Sequence, residues 1–160
     1  MTELLGSHSI DRRTLLAGAI AGAAGAILPS SAVAEPAAEH SAAFQAAFKK
    51  VIGEATPESA LVTIELPEVA ENGNNVPYKL AVESPMTEAD HITKLHLLST
   101  ANPQPAVATF HFSAQSGRAV VAGRMRLART QDVIALAETN TGKFLMASTL
   151  VQVTIGGCGN

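Results

Sequence analysis

Arg118-Ala119-Val120-Val121-Ala122-Gly123-Arg124-Met125-Arg126-Leu127 alternates: Ala119, Val121, Gly123, Met125 and Leu127 fall on one side of an extended chain, and Arg118, Arg124 and Arg126 on the other. Successive side chains of a strand point to opposite faces, so this period of two predicts a strand with one face in a core and one in water. The same pattern recurs upstream. Phe110 and Phe112 share a face opposite Thr109 and His111, and Tyr78, Leu80 and Val82 oppose Lys79 and Glu83.

Extending the reading outward gives seven strands: 61–66, 76–83, 92–99, 106–112, 118–127, 132–138 and 144–155. Turn chemistry separates them at Glu71-Asn72-Gly73-Asn74-Asn75, Ser84-Pro85, Asn102-Pro103, Ser116-Gly117 and Asn140-Thr141-Gly142. Their even spacing predicts hairpins rather than helical crossovers. Ahead of them, Phe44, Phe48, Val51 and Ile52 sit at helical spacing, with Ser41 as N-cap and Gly53 and Thr56-Pro57 as the stop. The expected class is all-β: an immunoglobulin-like antiparallel β-sandwich of about seven strands preceded by one amphipathic helix, with a partly open barrel as the alternative. The Cys-Trp-Cys pin of antibody domains is absent, because the chain has one cysteine and no tryptophan.

Of the 160 residues 47% are hydrophobic and 16% charged, and the net charge is −3. No run of Lys or Arg is present to neutralise a phosphate backbone, so DNA and RNA are poor partners. A single cysteine excludes an intrachain disulfide, a cysteine-based zinc knuckle and a dithiol redox pair, so a thiol oxidoreductase has no resolving partner in the chain.

Residues 1–34 differ in kind. Arg12 and Arg13 precede a Gly/Ala/Leu-rich stretch, Leu15 to Leu28, that ends at Pro29 before Ala32-Val33-Ala34. This predicts a cleavable export signal cut after Ala34, because the apolar run is shorter than the roughly 20 residues needed to span a bilayer. Ser9-Ile10-Asp11-Arg12-Arg13-Thr14-Leu15-Leu16 is similar to a twin-arginine motif, against an ordinary signal that happens to carry two arginines. That route exports folded proteins, often with a subunit aboard, so a partner and a periplasmic location are expected. The mature chain, residues 35–160, then forms one domain over 35–155 and a short arm over 156–160. It keeps the same net charge, because cleavage removes Glu3 and Asp11 along with the two arginines.

Few side chains are arranged for chemistry. His91 and His96 are an odd number of positions apart, so on one strand they face opposite ways and cannot share an ion. His111 between two phenylalanines is a half-exposed surface group, His40 precedes the helix, and the acidic residues Glu68, Glu71, Glu83, Glu88 and Asp90 lie in or beside turns. Neither a metal nor another cofactor is expected. Arg118, Arg124 and Arg126 form either a solvated strand face or a site for an acidic partner or sulfur oxyanion. The ending Gly156-Gly157-Cys158-Gly159-Asn160 is different, because it sets the sole cysteine among glycines at the end of the sequence. Glycine loses most entropy on ordering, so Gly156, Gly157, Gly159 and Asn160 are expected to form a mobile arm that carries Cys158 roughly 10 Å beyond Ile155. The arm has no Lys, Arg or His to stabilise a thiolate, so Cys158 is expected to be a carrier thiol activated inside other enzymes. The competing reading is an exported structural or adhesion module whose Cys158 cross-links two chains.

The arm, the twin-arginine-like signal, Leu66-Pro67-Glu68-Val69-Ala70-Glu71-Asn72-Gly73, Val82-Glu83-Ser84-Pro85-Met86-Thr87-Glu88-Ala89-Asp90-His91 and Ala108-Thr109-Phe110-His111-Phe112 together resemble the SoxY family. The family's usual ending is Gly-Gly-Cys-Gly-Gly, from which Asn160 departs. The resemblance implies a non-catalytic periplasmic carrier of thiosulfate-derived sulfur, held covalently on Cys158. It also implies a heterodimer with a SoxZ-like subunit, loading by the haem thiol-conjugating enzyme SoxXA, sulfate release by the hydrolase SoxB and, where present, oxidation by the sulfur dehydrogenase SoxCD.

Overall fold

The computed structural model describes residues 40–157. The predicted export signal and Cys158, Gly159 and Asn160 lie outside the described residues. One helix, α1 (Ala42–Ile52), precedes eight strands: β1 (Val62–Glu65), β2 (Val69–Asn72), β3 (Val76–Val82), β4 (Ile92–Ser99), β5 (Ala106–His111), β6 (Ala119–Met125), β7 (Gln131–Thr139) and β8 (Phe144–Ile155). They form a three-stranded sheet, β1-β3-β6, and a five-stranded sheet, β2-β8-β7-β4-β5. The class is as expected from the alternation.

Two expectations are corrected. Only β4–β5 and β7–β8 are neighbours both in sequence and in a sheet; every other connection switches sheets. Spacing along the chain reports where strands end, not which sheet they join. The sandwich is also not purely antiparallel, because β2 pairs in parallel with the end of β8. β2 escapes a period-two reading since Ala70 is its only buried residue, and its ladder partners come from the far end of the sequence.

The core lies between the sheets. Leu80 of β3, Leu95 and Leu97 of β4, Val133, Ala135 and Ala137 of β7, Val151 of β8 and Leu127 after β6 are fully enclosed. β3 alternates almost strictly, burying Val76, Tyr78, Leu80 and Val82 while Pro77 and Lys79 are exposed. Its neighbour β6 supplies Ala119 and Met125 to the same layer and leaves Arg124 outside. Tyr78 and Gly123 are cross-strand partners; a Cβ on Gly123 would meet the tyrosine ring, its oxygen at 2.7 Å. Glycine there lets the ring lie flat over the adjacent strand, and burial pushes the Tyr78 phenol up from its ordinary pKa.

The outer face of the five-stranded sheet is half covered by α1. Ser41 Oγ accepts the Phe44 N–H at 3.1 Å, and the Gly53 N–H, at φ 62°, caps the last turn on Lys49 C=O at 2.8 Å. Phe44 packs with Leu98 and Ile134, flanked by Phe48 and Met146. The helix start is tied down as well, since Ser41 N–H donates to Thr100 C=O at 3.1 Å.

Further along this face sits His96, nine-tenths buried. Its Nδ1 is 3.0 Å from Thr109 Oγ1, and its Nε2 is enclosed without a partner. Lys94 and Glu138, paired at 2.8 Å, and His111 of β5 are the charged and titratable groups facing it. Burial is the main cause that lowers the His96 pKa below its ordinary value; Lys94 and His111 act in the same direction and Glu138 opposes them. With the folded pKa depressed, the unfolded chain takes up a proton that the fold refuses once the pH drops through the unfolded value of about 6.5. Stability is therefore fully present above that value and is lost as pH falls below it. Urea unfolding at pH 7.5 and 5.0 is expected to show that loss, and His96→Leu to show less of it. An identical decrement in both proteins would rule His96 out as its source.

Candidate functional site

Cys158 follows directly on Gly157, so what the structure offers is the root of the predicted arm. β8 ends at Ile155, which is largely exposed, and Gly156 is also exposed, but Gly157 is buried. Three segments meet there through one run of backbone hydrogen bonds. Gly73 N–H donates to Ile155 C=O at 2.7 Å, Leu127 N–H to Gly73 C=O at 2.8 Å, and Gly157 N–H to Leu127 C=O at 2.8 Å. Gly73 lies in the β2–β3 turn, which Asn72 closes by accepting the Asn74 N–H on Oδ1 at 2.9 Å.

The fit explains the glycines differently from the expectation of mobility. A Cβ on Gly157 would overlap the Gly73 carbonyl and the Asn74 nitrogen, and one on Gly156 would overlap Ala128 O. A Cβ on Gly73 would overlap Leu127 O and lie 2.8 Å from Gly157 N. In this conformation Gly156 and Gly157 are seated in a slot, and they are glycine because backbone meets backbone with no room for a side chain. This close approach is a second demand on the two glycines, beside the mobility that their composition predicts. Composition signals freedom; close approach becomes visible only once the three segments are brought together.

The far wall of the slot, the Leu127–Thr130 loop, rests on two buried amides that the pattern of apolar residues did not mark. Asn102 Oδ1 accepts Ala128 N–H at 2.9 Å and Gln131 Nε2–H at 2.8 Å, while Asn102 Nδ2–H donates to Arg126 C=O at 2.8 Å. Gln131 adds a bond from Nε2 to Arg129 C=O at 3.1 Å and accepts Ala101 N–H on Oε1 at 2.8 Å. Thr130 Oγ1 accepts the Val153 N–H at 3.0 Å, joining the loop to β8. The Asn102-Pro103 turn was legible as a turn; that its amide reaches across to hold the slot was not.

Arg126 and Arg129 are exposed on either side of Leu127 and Ala128, the residues whose carbonyls face the arm. Neither makes an ion pair among the described residues. Arg118 and Arg124 are exposed on the three-stranded side and are not brought to the arm. The described histidines are not gathered at the arm's root: His91 lies before β4 with Nδ1 2.9 Å from Thr87 O, His96 is buried in β4, and His111, the nearest to His96, is exposed on β5. Among the described residues no group of three or more His, Cys, Asp or Glu is placed to hold a metal, and no helix is long and apolar enough to cross a membrane.

Comparison with known proteins agrees with this geometry. The sandwich matches the sulfur carrier protein SoxY from Chlorobium limicola f thiosulfatophilum with a TM-score of 0.58 and 32% sequence identity, covering 69% of this chain and 96% of that one. A superoxide reductase (neelaredoxin) variant from Ignicoccus hospitalis matches with a TM-score of 0.53 at 18% identity, over 60% of this chain and 82% of that one, which shows a shared fold alone. Comparison with curated proteins gives no match. The sequence model described as "Sulfur oxidation protein SoxY" matches residues 48–158, from the middle of α1 through the cysteine of the arm. This chain belongs to the SoxY family of sulfur oxidation proteins.

Proposed function

We propose that this chain is a periplasmic sulfur carrier, exported folded through the twin-arginine pathway, that holds thiosulfate-derived sulfur covalently on Cys158 and presents it to partner enzymes. The observation that carries the reading is that the family match runs through Cys158, the sole cysteine, one residue beyond a slot built for its two preceding glycines. The chain itself is not a catalyst: it supplies the thiol, the arm and the docking surface, and uses no cofactor of its own.

In this reading a haem thiol-conjugating enzyme of the SoxXA kind joins the thiol sulfur to the sulfane sulfur of thiosulfate. The thiol would lose its proton, the two electrons released would leave one at a time through the conjugating enzyme's haem to its onward acceptor, and Cys158 would carry a thiosulfonate. A hydrolase of the SoxB kind then adds water across the bond to the sulfone, which leaves as sulfate and returns a persulfide on Cys158. A sulfur dehydrogenase of the SoxCD kind, where present, would oxidise that remaining sulfur to a sulfonate, taking oxygen from three waters and passing six electrons to its own acceptors, after which hydrolysis would release a second sulfate and restore the thiol. Throughout, a SoxZ-like subunit accompanies the chain as its heterodimeric partner. Loading adds a sulfonate's negative charge to Cys158, and Arg126 and Arg129, exposed beside the arm's root and without an ion pair among the described residues, supply positive potential in its neighbourhood.

Intact-mass measurement on the mature chain, incubated with thiosulfate and the conjugating enzyme, is expected to show an added thiosulfate that reductant removes. Cys158→Ser is expected to show none. Absence of any adduct on the wild-type chain overturns the proposal.

A further inference from the structure

The carrier reading asks the arm to be free, whereas the structure seats its first two residues. We propose that the slot between Gly73 and the Leu127–Ala128 carbonyls is a latch: it parks the arm against the sandwich between transfers and releases it when Cys158 is presented to a partner. The proposal rests on Cys158 being the carrier thiol, but its geometry stands on described residues alone.

Three observations carry it. First, the slot is shaped for glycine from both sides, since Gly73 on the body and Gly156 and Gly157 on the arm each exclude a Cβ. An arm that needed only flexibility would place no such demand on Gly73. Second, the hold is light. Among the described residues past the end of β8 one backbone hydrogen bond holds the arm, Gly157 N–H to Leu127 C=O, while Gly73 C=O keeps its own donor, the Leu127 N–H, when the arm leaves. Third, the wall is held independently of the arm, because Asn102 and Gln131, joined by a buried side-chain hydrogen bond, fix the Arg126–Arg129 backbone through three part-buried ones. Release therefore exposes one carbonyl at a surface slot, where water satisfies it, and leaves the body unchanged. A fixed wall, a glycine key and, among the described residues, one bond to break make a two-state element.

The test uses full-length mature protein with reduced Cys158 and no sulfur substrate. Gly157→Ala places its methyl against Gly73 and Asn74, so the arm cannot seat, while the sandwich should keep its urea midpoint. Alkylation of Cys158 by a bulky maleimide is expected to run about two- to twelve-fold faster than in the wild type, the range for losing one net backbone hydrogen bond. Added bulk beside the thiol would by itself slow the reaction, so acceleration reports release. In the wild type the Gly157 amide is expected to exchange with solvent more slowly than in the same unstructured peptide. An equal or lower alkylation rate in Gly157→Ala, or an unprotected Gly157 amide in the wild type, overturns the latch. A chain that shows the latch yet never loads thiosulfate would refute the carrier role and leave the latch standing.

Discussion

Asn102→Ala lowers the unfolding free energy by about 2–4 kcal/mol, the expected result of leaving two backbone groups and one side-chain amide short of partners at about 1–3 kcal/mol each, partly offset by water. The groups are Ala128 N–H, Arg126 C=O and the Gln131 amide, all bonded to a side chain that is 7% exposed. Water enters from an open groove of about 330 Å³ lined by Asn102, Pro103, Gln104, Ala106, Val107 and Arg126. Urea unfolding measures the loss. The same variant is expected to lose Gly157 amide protection under native conditions, because the Leu127 carbonyl no longer has a fixed position. A wild-type midpoint in Asn102→Ala would mean that the network does not hold the loop.

The second large effect is in the core. Leu97→Ala is expected to cost about 3–5 kcal/mol, the upper part of the range for removing a buried leucine, and to lower Tm by roughly 10 °C or more. Its cross-strand partners are Ala108 on β5 and Ala135 on β7, so no long side chain on either flank is available to fill the space left behind. Leu150→Ala, on a 40% exposed residue of β8, is the control and should stay within about 1 kcal/mol. Calorimetry distinguishes the two, and a Leu97→Ala loss no larger than that of Leu150→Ala would contradict the assignment of the core. Unlike Asn102→Ala, the Leu97 variant should keep the Gly157 amide protected under native conditions. Stability and docking of the arm are thereby separated.

The residues that alternate were legible because one face of a strand must be dry. The expected bounds of β4 and β8 coincide with those observed, and the helix begins after the N-cap that Ser41 predicted. β2 was not legible: four residues with a single buried side chain carry no periodic signal, and their pairing is decided by a strand at the other end of the sequence. Cys158 could be singled out by uniqueness and by its glycine neighbours alone. The reason for those neighbours could not. Gly73, Gly156 and Gly157 explain one another only after folding, and Asn102 and Gln131, two amides in unremarked positions, gain their roles by reaching across a loop.

The parallel contact between β2 and β8 bears on how the arm withstands handling. β8 is bonded to β7 from Phe144 to Val151, and where that ladder ends β2 takes over from Gln152 to Ile155. In the proposed carrier role, a catalyst that draws the thiol into its channel tugs along the axis of this strand. The load then falls on many lateral bonds in shear, all of which must yield together, rather than peeling them one at a time. The tether in that role is fastened like a rope laid between two others, with its load shared by both neighbours.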